Sequence, residues 1–311
     1  MLVTLNEVLK DAKKKRYAVG LFNTVNLEMA KGVIAAAEEA NSPVIIGTAE
    51  VLLPFSSLEE LAPMLVPLAK KAKVPVVLHF DHGLTPEKIH KAMSLGFTSI
   101  MYDCSTNSFD ANCREVAAMV RIAHARGVSV EAELGHVGAN DGSAEGDGAG
   151  DHSIYTEPEE ALRFVHATGV DALAVAIGTA HGAYKSKPKL DFDRLEEIAK
   201  IVNTPLVLHG GSGLSDDDFR QAVARGITKV NIFTDINLAS AKSAHDTFFD
   251  GAGMTDLMPD ITESVKQATL KKMRVFGSPG HGQAYKEYVV QAVVKRCLLY
   301  TSPSPRDLST S

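Results

Sequence analysis

Three histidines, His82, His181 and His209, each close an apolar run of strand-like composition, and each is followed directly by glycine. Imidazole is a ready ligand for a divalent ion, and three of them with a fourth position left open form the donor set of a catalytic zinc. One such histidine alone is more often a packing or surface residue. Three at the ends of separate runs, each beside a glycine that lets backbone and ligand approach closely, point to a shared ion. Asp81 directly precedes the first of them. A carboxylate there either moves a proton to and from a substrate hydroxyl or orients a metal-bound ring, and its place beside the open position favours the first role. Asp103 and Glu133 close two further runs. They serve either a second metal position or the rings of the ligands.

A second set of residues suits an anion. His209-Gly210-Gly211-Ser212-Gly213-Leu214-Ser215 follows the seventh run and Asn231-Ile232-Phe233-Thr234-Asp235 the eighth. Glycines expose backbone N–H groups, Ser212 and Thr234 add hydroxyls, and a helix N-terminus after such a loop attracts phosphate. Asn23 ends the first run in the same manner. The remaining histidines read as structural: His79 lies deeper in its run as a core residue, His90, His124, His166 and His245 fall in helical stretches, His136 and His152 bracket a loop, and His281 sits in a late turn. No lysine ends a run where it would form a Schiff base with a carbonyl substrate, since Lys229 begins its run and Lys185 lies in a loop.

The elements that must position these groups are eight short apolar runs: Ala18 to Asn23, Pro43 to Gly47, Val76 to Phe80, Ser99 to Tyr102, Ser129 to Glu133, Ala172 to Ile177, Leu206 to His209 and Lys229 to Phe233. Continuous apolar runs of this length suit strands buried on both faces, as parallel sheets require. Amphipathic helices alternate with them, among them Leu27 to Ala40 and Asp110 to Arg126; Glu157-Pro158-Glu159-Glu160 and Ser215-Asp216-Asp217-Asp218 place acids in first turns, where the helix dipole favours them. Eight alternations predict a TIM (β/α)8 barrel, with additional N-terminal (Leu5 to Lys15, across the barrel bottom) and C-terminal (Asp260 to Phe276, Gln283 to Lys295) helices. In that fold the strand ends converge on one face, which explains why the chemistry-bearing residues collect there while the strand starts carry no comparable set. His136 to Ser153, rich in Gly, Asp, Asn and Ser, reads as a mobile loop. Residues 1–296 are expected to form one domain, and 297–311, of different composition, a disordered or non-native tail.

Composition narrows the classes. The chain has 311 residues with 45% hydrophobic and 23% charged, enough for a large core. A net charge of −6 without a dominant basic cluster argues against nucleic acid as a partner. No apolar run approaches the roughly 18 residues that span a bilayer, so no membrane partner is expected. Three cysteines, Cys104, Cys113 and Cys297, without CxxC spacing fit a reducing, cytoplasmic compartment.

With these residues assembled, the chain closely resembles the class II, metal-dependent fructose- and tagatose-bisphosphate aldolases from about Leu5 to about Gly282. The most specific stretches are Tyr17-Ala18-Val19-Gly20-Leu21-Phe22-Asn23, Leu78-His79-Phe80-Asp81-His82-Gly83, Val128-Ser129-Val130-Glu131-Ala132-Glu133-Leu134-Gly135, Ala174-Val175-Ala176-Ile177-Gly178-Thr179-Ala180-His181-Gly182 and Leu206-Val207-Leu208-His209-Gly210-Gly211-Ser212-Gly213. The resemblance implies a zinc-dependent lyase that cleaves fructose- or tagatose-1,6-bisphosphate, with zinc on His82, His181 and His209, Glu133 and Asp103 near the metal, and Asp81 as the acid/base. It further implies dihydroxyacetone phosphate held by Gly182, Gly210, Gly211, Ser212, Asn231, Phe233 and Thr234, with Lys185 and a monovalent cation (Na+ or K+) nearby, and a homodimer or homotetramer.

Three stretches depart from the family pattern. The loop that normally carries Gly-Gly-x-Glu-Asp reads Gly138-Ala139-Asn140-Asp141-Gly142, which leaves Asp141 or Glu145 to handle the proton on the dihydroxyacetone carbon. Ala49 stands where many members place a phosphate-binding serine, with Thr48 beside it as the substitute hydroxyl. Met258-Pro259-Asp260 replaces the Asp-Pro-Arg segment whose arginine helps hold the distal phosphate, which keeps open a ketose lacking that phosphate. Two rivals remain: a metal-dependent hydrolase barrel, which usually has a His-x-His pair on its first strand where this chain has Phe22-Asn23, and a non-catalytic sugar-phosphate-binding subunit, against which the retention of Asp81 speaks.

Overall fold

The computed structural model describes residues 1–135, 137, 155–180 and 188–282. The expectations for His136, for the segment 138–154 with Asp141, Glu145 and His152, for 181–187 with His181, Gly182 and Lys185, and for 283–311 with the helix Gln283 to Lys295, Cys297 and the tail lie outside the described residues.

In chain order the elements are β1 (Leu2–Val3), α1 (Leu5–Lys15), β2 (Val19–Asn23), α2 (Leu27–Glu39), β3 (Val44–Ala49), a 3-10 turn (Glu50–Leu52), α3 (Leu58–Lys71), β4 (Val76–Gly83), α4 (Pro86–Ser94), β5 (Ser99–Tyr102), α5 (Phe109–Ala125), β6 (Ser129–Leu134), α6 (Pro158–Thr168), β7 (Ala172–Val175), α7 (Phe192–Ile201), β8 (Leu206–Leu208), α8 (Asp216–Ala224), β9 (Ile227–Ile232), α9 (Thr234–Thr247) and α10 (Met254–Phe276). Strands β2 to β9 pair in parallel, each with the next, and β9 pairs back onto β2 with Val19 opposite Lys229, so the sheet closes into an eight-stranded barrel ringed by helices. The two residues of β1 add beside the foot of β4. This is the TIM barrel that the eight alternations predict.

Helix starts follow local chemistry. Asn26 accepts from the Met29 amide, Ser57 forms a capping box with Glu60 and Ser215 one with Asp218, while Pro86 and Pro158 open α4 and α6, where a missing N–H costs nothing. Several boundaries differ from expectation, among them β4, which runs on to Gly83 and so includes Asp81 and His82. Helix α10 begins at Met254, ahead of the expected Asp260, and carries Pro259 inside it. Strand β9 begins at Ile227, so Lys229 is inside the strand and does not begin it.

Alternation of side chains sorts each strand into an outward and an inward row. Outward residues such as Phe22, Phe80 and Val175 join the large core beneath the helices. Inward residues change in character from bottom to top. At the bottom Val19, Leu21, Ile45, Val77, Ala172, Ala174 and Val207 pack against Leu5, Val8, Leu9 and Ala12 of α1, which plugs the barrel as expected. Above them His79, Glu131 and Lys229 form a fully buried ionic layer. The next inward positions are Asn23, Asp81, Glu133 and Asn231, with His209 just past β8.

Candidate active site

Asp81 and His82 are consecutive, so a regular strand would send them to opposite faces. The pairing of β4 with β5 shifts register between Phe80 and Gly83, and His82 adopts φ +42°. A left-handed backbone at a non-glycine residue is uncommon, and a bulge at a barrel rim re-aims side chains. The result brings both groups together: Asp81, His82 and His209 present ligand atoms that all lie within 4.8 Å of one another. The His82 and His209 rings are 4.6 Å apart.

Carboxylates hold both rings, His82 at one nitrogen and His209 at both. Asp103 Oδ2 lies 2.8 Å from His82 Nδ1, and its other oxygen accepts from the Ser105 amide and hydroxyl. Glu133 Oε2 lies 2.7 Å from His209 Nδ1, while Glu131 Oε1 lies 2.9 Å from His209 Nε2. Burial alone would lower the basicity of His209, but the two carboxylates raise its pKa to about 10. The Glu131 carboxyl, which burial would raise, is brought down to about 2 by Lys229 and His209. A pocket that concentrates this much carboxylate around imidazole neutralises a divalent cation as well as an imidazolium, and carboxylate-braced histidines are the usual outer support of a bound metal. The donor set therefore fits a metal ion.

Asp81 is buried and receives three amide contacts: Asn23 Nδ2 at 2.8 Å, and Asn231 Nδ2 at 3.0 and 3.2 Å to its two oxygens. Burial would raise its pKa, yet the charges of His82 and Lys229 hold the carboxyl well below the usual range. The expected core residue His79 is fully buried; its Nδ1 pairs with Ser99 at 2.7 Å, and its Nε2 lies 3.7 Å from Asp81.

Above these groups opens a cavity of about 540 Å³. Asn23, Asp81, His82, Asp103, Gly210, Gly211, Ser212, Asn231, Phe233 and Thr234, all singled out from sequence, line it; Glu133 and His209 lie buried beneath. One wall is the loop Gly210–Ser212 against the start of α9, with the Phe233 amide 3.4 Å from Ser212 Oγ. Gly210 has φ +64°, and a Cβ there would meet the Ala180 carbonyl oxygen at 2.5 Å, so only glycine permits this approach. The opposite wall, Ala49, Val51, Leu52 and Leu84, is apolar. Ala49 faces the cavity, whereas Thr48 is fully buried and does not line it; strand alternation turns its hydroxyl away, so it does not replace the absent serine.

Glu50 braces this apolar wall. Its carboxylate accepts from the Leu84 amide at 2.7 Å, the Thr85 amide at 3.1 Å and the Thr85 hydroxyl at 3.0 Å, and pairs with Lys88 at 3.2 Å. Burial works to raise its pKa, but these contacts outweigh it and lower the value. A lowered carboxyl pKa contributes stability that is present above the unfolded-state value and lost as pH falls through the folded one. Glu50→Gln is therefore expected to melt earlier than the parent at neutral pH, with the difference closing on acidification. A gap in Tm that is constant with pH would contradict this account.

Sequence reasoning missed Glu131 and Lys229 as members of the site. Period-two spacing was the available signal, since Glu131 precedes Glu133, and Lys229 precedes Asn231, by two residues on a strand.

Comparison with known proteins agrees with this fold. The family described as fructose-bisphosphate aldolase class-II matches residues 3–281. The YdjI protein of Escherichia coli K12 is 42% identical over 91% of this chain and 100% of its own length. The fructose-bisphosphate aldolase of Geobacillus stearothermophilus is 39% identical over 90% of this chain and 98% of its own. The crystal structure of the E. coli YdjI aldolase superposes with a TM-score of 0.81 at 38% identity, covering 91% of this chain and 100% of that one. A parallel eight-stranded barrel with paired histidines and an adjacent carboxylate at its upper rim, matched along nearly its whole length, makes this chain a member of the class II fructose-bisphosphate aldolase family, and so a lyase.

Proposed function

We propose that the protein carries out reversible, zinc-dependent aldol cleavage of a ketose bisphosphate, fructose 1,6-bisphosphate or tagatose 1,6-bisphosphate, to dihydroxyacetone phosphate and glyceraldehyde 3-phosphate. The observation that carries this reading is the convergence of Asp81, His82 and His209 at the floor of a cavity whose flank is the Gly210–Ser212 loop. His82 and His209 would hold the ion together with His181. When bound, the ion supplies a Lewis acid for the substrate carbonyl.

Asp81 removes the proton from the C4 hydroxyl as the C3–C4 bond breaks. The bond's electron pair stays on C3, C4 becomes the aldehyde carbon, and in condensation Asp81 returns the proton. Asn23 and Asn231 hold the carboxylate by their amide N–H groups. The Asn23 carbonyl oxygen is buried with no hydrogen-bond partner among the described residues, an acceptor suited to a substrate hydroxyl. Backbone amides of Gly210 and Gly211, the Ser212 hydroxyl and the start of α9 at Phe233–Thr234 bind the C1 phosphate. Gly182, Lys185 and a monovalent cation complete that phosphate site in this reading, Asp103 and Glu133 stay near the metal, and Asp141 or Glu145 handles the C3 proton. The working protein is a homodimer or homotetramer.

A second reading follows from the apolar wall of Val51, Leu52 and Leu84, which faces the phosphate loop across the cavity. A dianionic phosphate is poorly matched to aliphatic side chains. On this reading the ketose carries phosphate at C1 only.

Zinc-loaded protein assayed for dihydroxyacetone phosphate release separates the cases. With the 1,6-bisphosphates and the 1-phosphates of fructose and tagatose as substrates, the first reading expects kcat/KM about 100-fold higher for a bisphosphate, roughly one charge-assisted anion contact of 2–3 kcal/mol. A preference for the 1-phosphates selects the second reading. Release from none of the four sinks the ketose assignment.

A further inference from the structure

Lys229 is a fully buried lysine with its ammonium inside the barrel. It donates to Asn231 Oδ1 at 2.7 Å and lies 2.8 and 3.0 Å from the two oxygens of Glu131. An ammonium has donors only, so the Asn231 carbonyl oxygen must face it and the Asn231 NH2 must point the other way. The other way is Asp81, where that NH2 meets both carboxylate oxygens. A flipped amide would set NH2 against ammonium and a carbonyl against a carboxylate, two repulsive contacts in a water-poor interior.

We propose that Lys229 is a positioning residue for the aldol reaction: it fixes the Asn231 amide, and through that amide the orientation of the Asp81 carboxylate. Lys229 does not line the cavity and acts through Asn231. The same ammonium continues through Glu131 to His209 Nε2, so one buried chain, Asp81–Asn231–Lys229–Glu131–His209, links the proton-handling carboxylate to a ring assigned to the metal. Its other neighbour in this layer is His79, whose Nε2 lies 3.9 Å from Glu131. A lysine that served only to neutralise Glu131 would have no need to reach Asn231. The proposal rests on the acid/base reading of Asp81 and is the same for each of the four ketose phosphates above.

The test compares K229M and K229Q in the parent and in an N231A background, with kcat, KM and bound zinc measured on zinc-loaded protein. The substrate is whichever of the four ketose phosphates above the parent cleaves fastest. K229M is expected to lower kcat about 10- to 100-fold, the usual range for residues that orient an active-site group. KM and zinc content should stay within about threefold, since Lys229 does not line the cavity. K229Q, whose amide still donates to Asn231 Oδ1, should recover most of the loss. In the N231A background the fold-loss of kcat caused by K229M should be several times smaller than in the parent, because the amide it acts through is gone.

An equal loss with and without Asn231, a change confined to KM, or no rescue by glutamine overturns the proposal. Where K229M fails to fold because Glu131 is left unpaired, K229M/E131Q removes both charges and is compared with E131Q alone in the same way. Parent turnover is measured first. If the parent is inactive on all four substrates, the proposed ketose cleavage and this proposal fall together; an active parent with an unaffected K229M defeats the positioning role alone.

Discussion

Asp81→Ala is expected to lower cleavage turnover by about 10²- to 10⁴-fold, the usual worth of a positioned general acid/base, while the protein retains its zinc. The carboxylate sits between two asparagine amides that orient it, and its ligand atoms lie close to those of His82 and His209. That closeness leaves two roles to separate. An acid/base residue can be removed without loss of the ion, whereas a ligand cannot. Metal analysis beside kinetics decides: a variant that loses turnover and zinc together makes Asp81 a ligand, and one that cleaves substrate at the parent rate removes it from the mechanism.

The other large effect comes from the ion. Prolonged treatment with a strong chelator is expected to abolish cleavage, and stoichiometric zinc to restore it. His209→Ala should reproduce the loss without restoration, because it removes a donor and leaves Glu131 and Glu133 without the ring between them. Borohydride added with substrate should trap no covalent adduct. Lys229, the lysine inside the barrel, is engaged by Glu131 and Asn231 and lies outside the cavity lining. Full activity in chelator, or a reduced adduct on a lysine, would end the metal-dependent reading.

Much of this arrangement was legible in the sequence. Parallel strands buried on both faces leave continuous apolar runs, and polar residues at their ends have few reasons to be there except chemistry. That logic locates Asn23, Asp81, His82, Asp103, Gly210 and Asn231 on one cavity without reference to coordinates. What escaped had different causes. The turn that brings His82 to the same side as Asp81 depends on a register shift between two strands, a property of the pair that neither sequence carries alone. Lys229 and Glu131 stand 98 positions apart, and a charged residue in a strand reads as an end or an edge until its partner is known. For the same reason Lys229 reads in the sequence as a strand start, although β9 begins at Ile227. Thr48 was a different error: its neighbour Ala49 has the parity that faces the cavity, and simple alternation would have excluded it.

The helix that plugs the bottom of the barrel has a kinetic corollary. With Leu5, Val8, Leu9 and Ala12 seated in the lower opening, the described residues close the barrel from below. On the proposed reading, sugar, aldehyde and metal enter and leave past the upper rim, where the cavity opens. A molecule resting there stands in the exit path of anything bound deeper, so a substrate-saturated enzyme should surrender its ion to a chelator more slowly than a resting one.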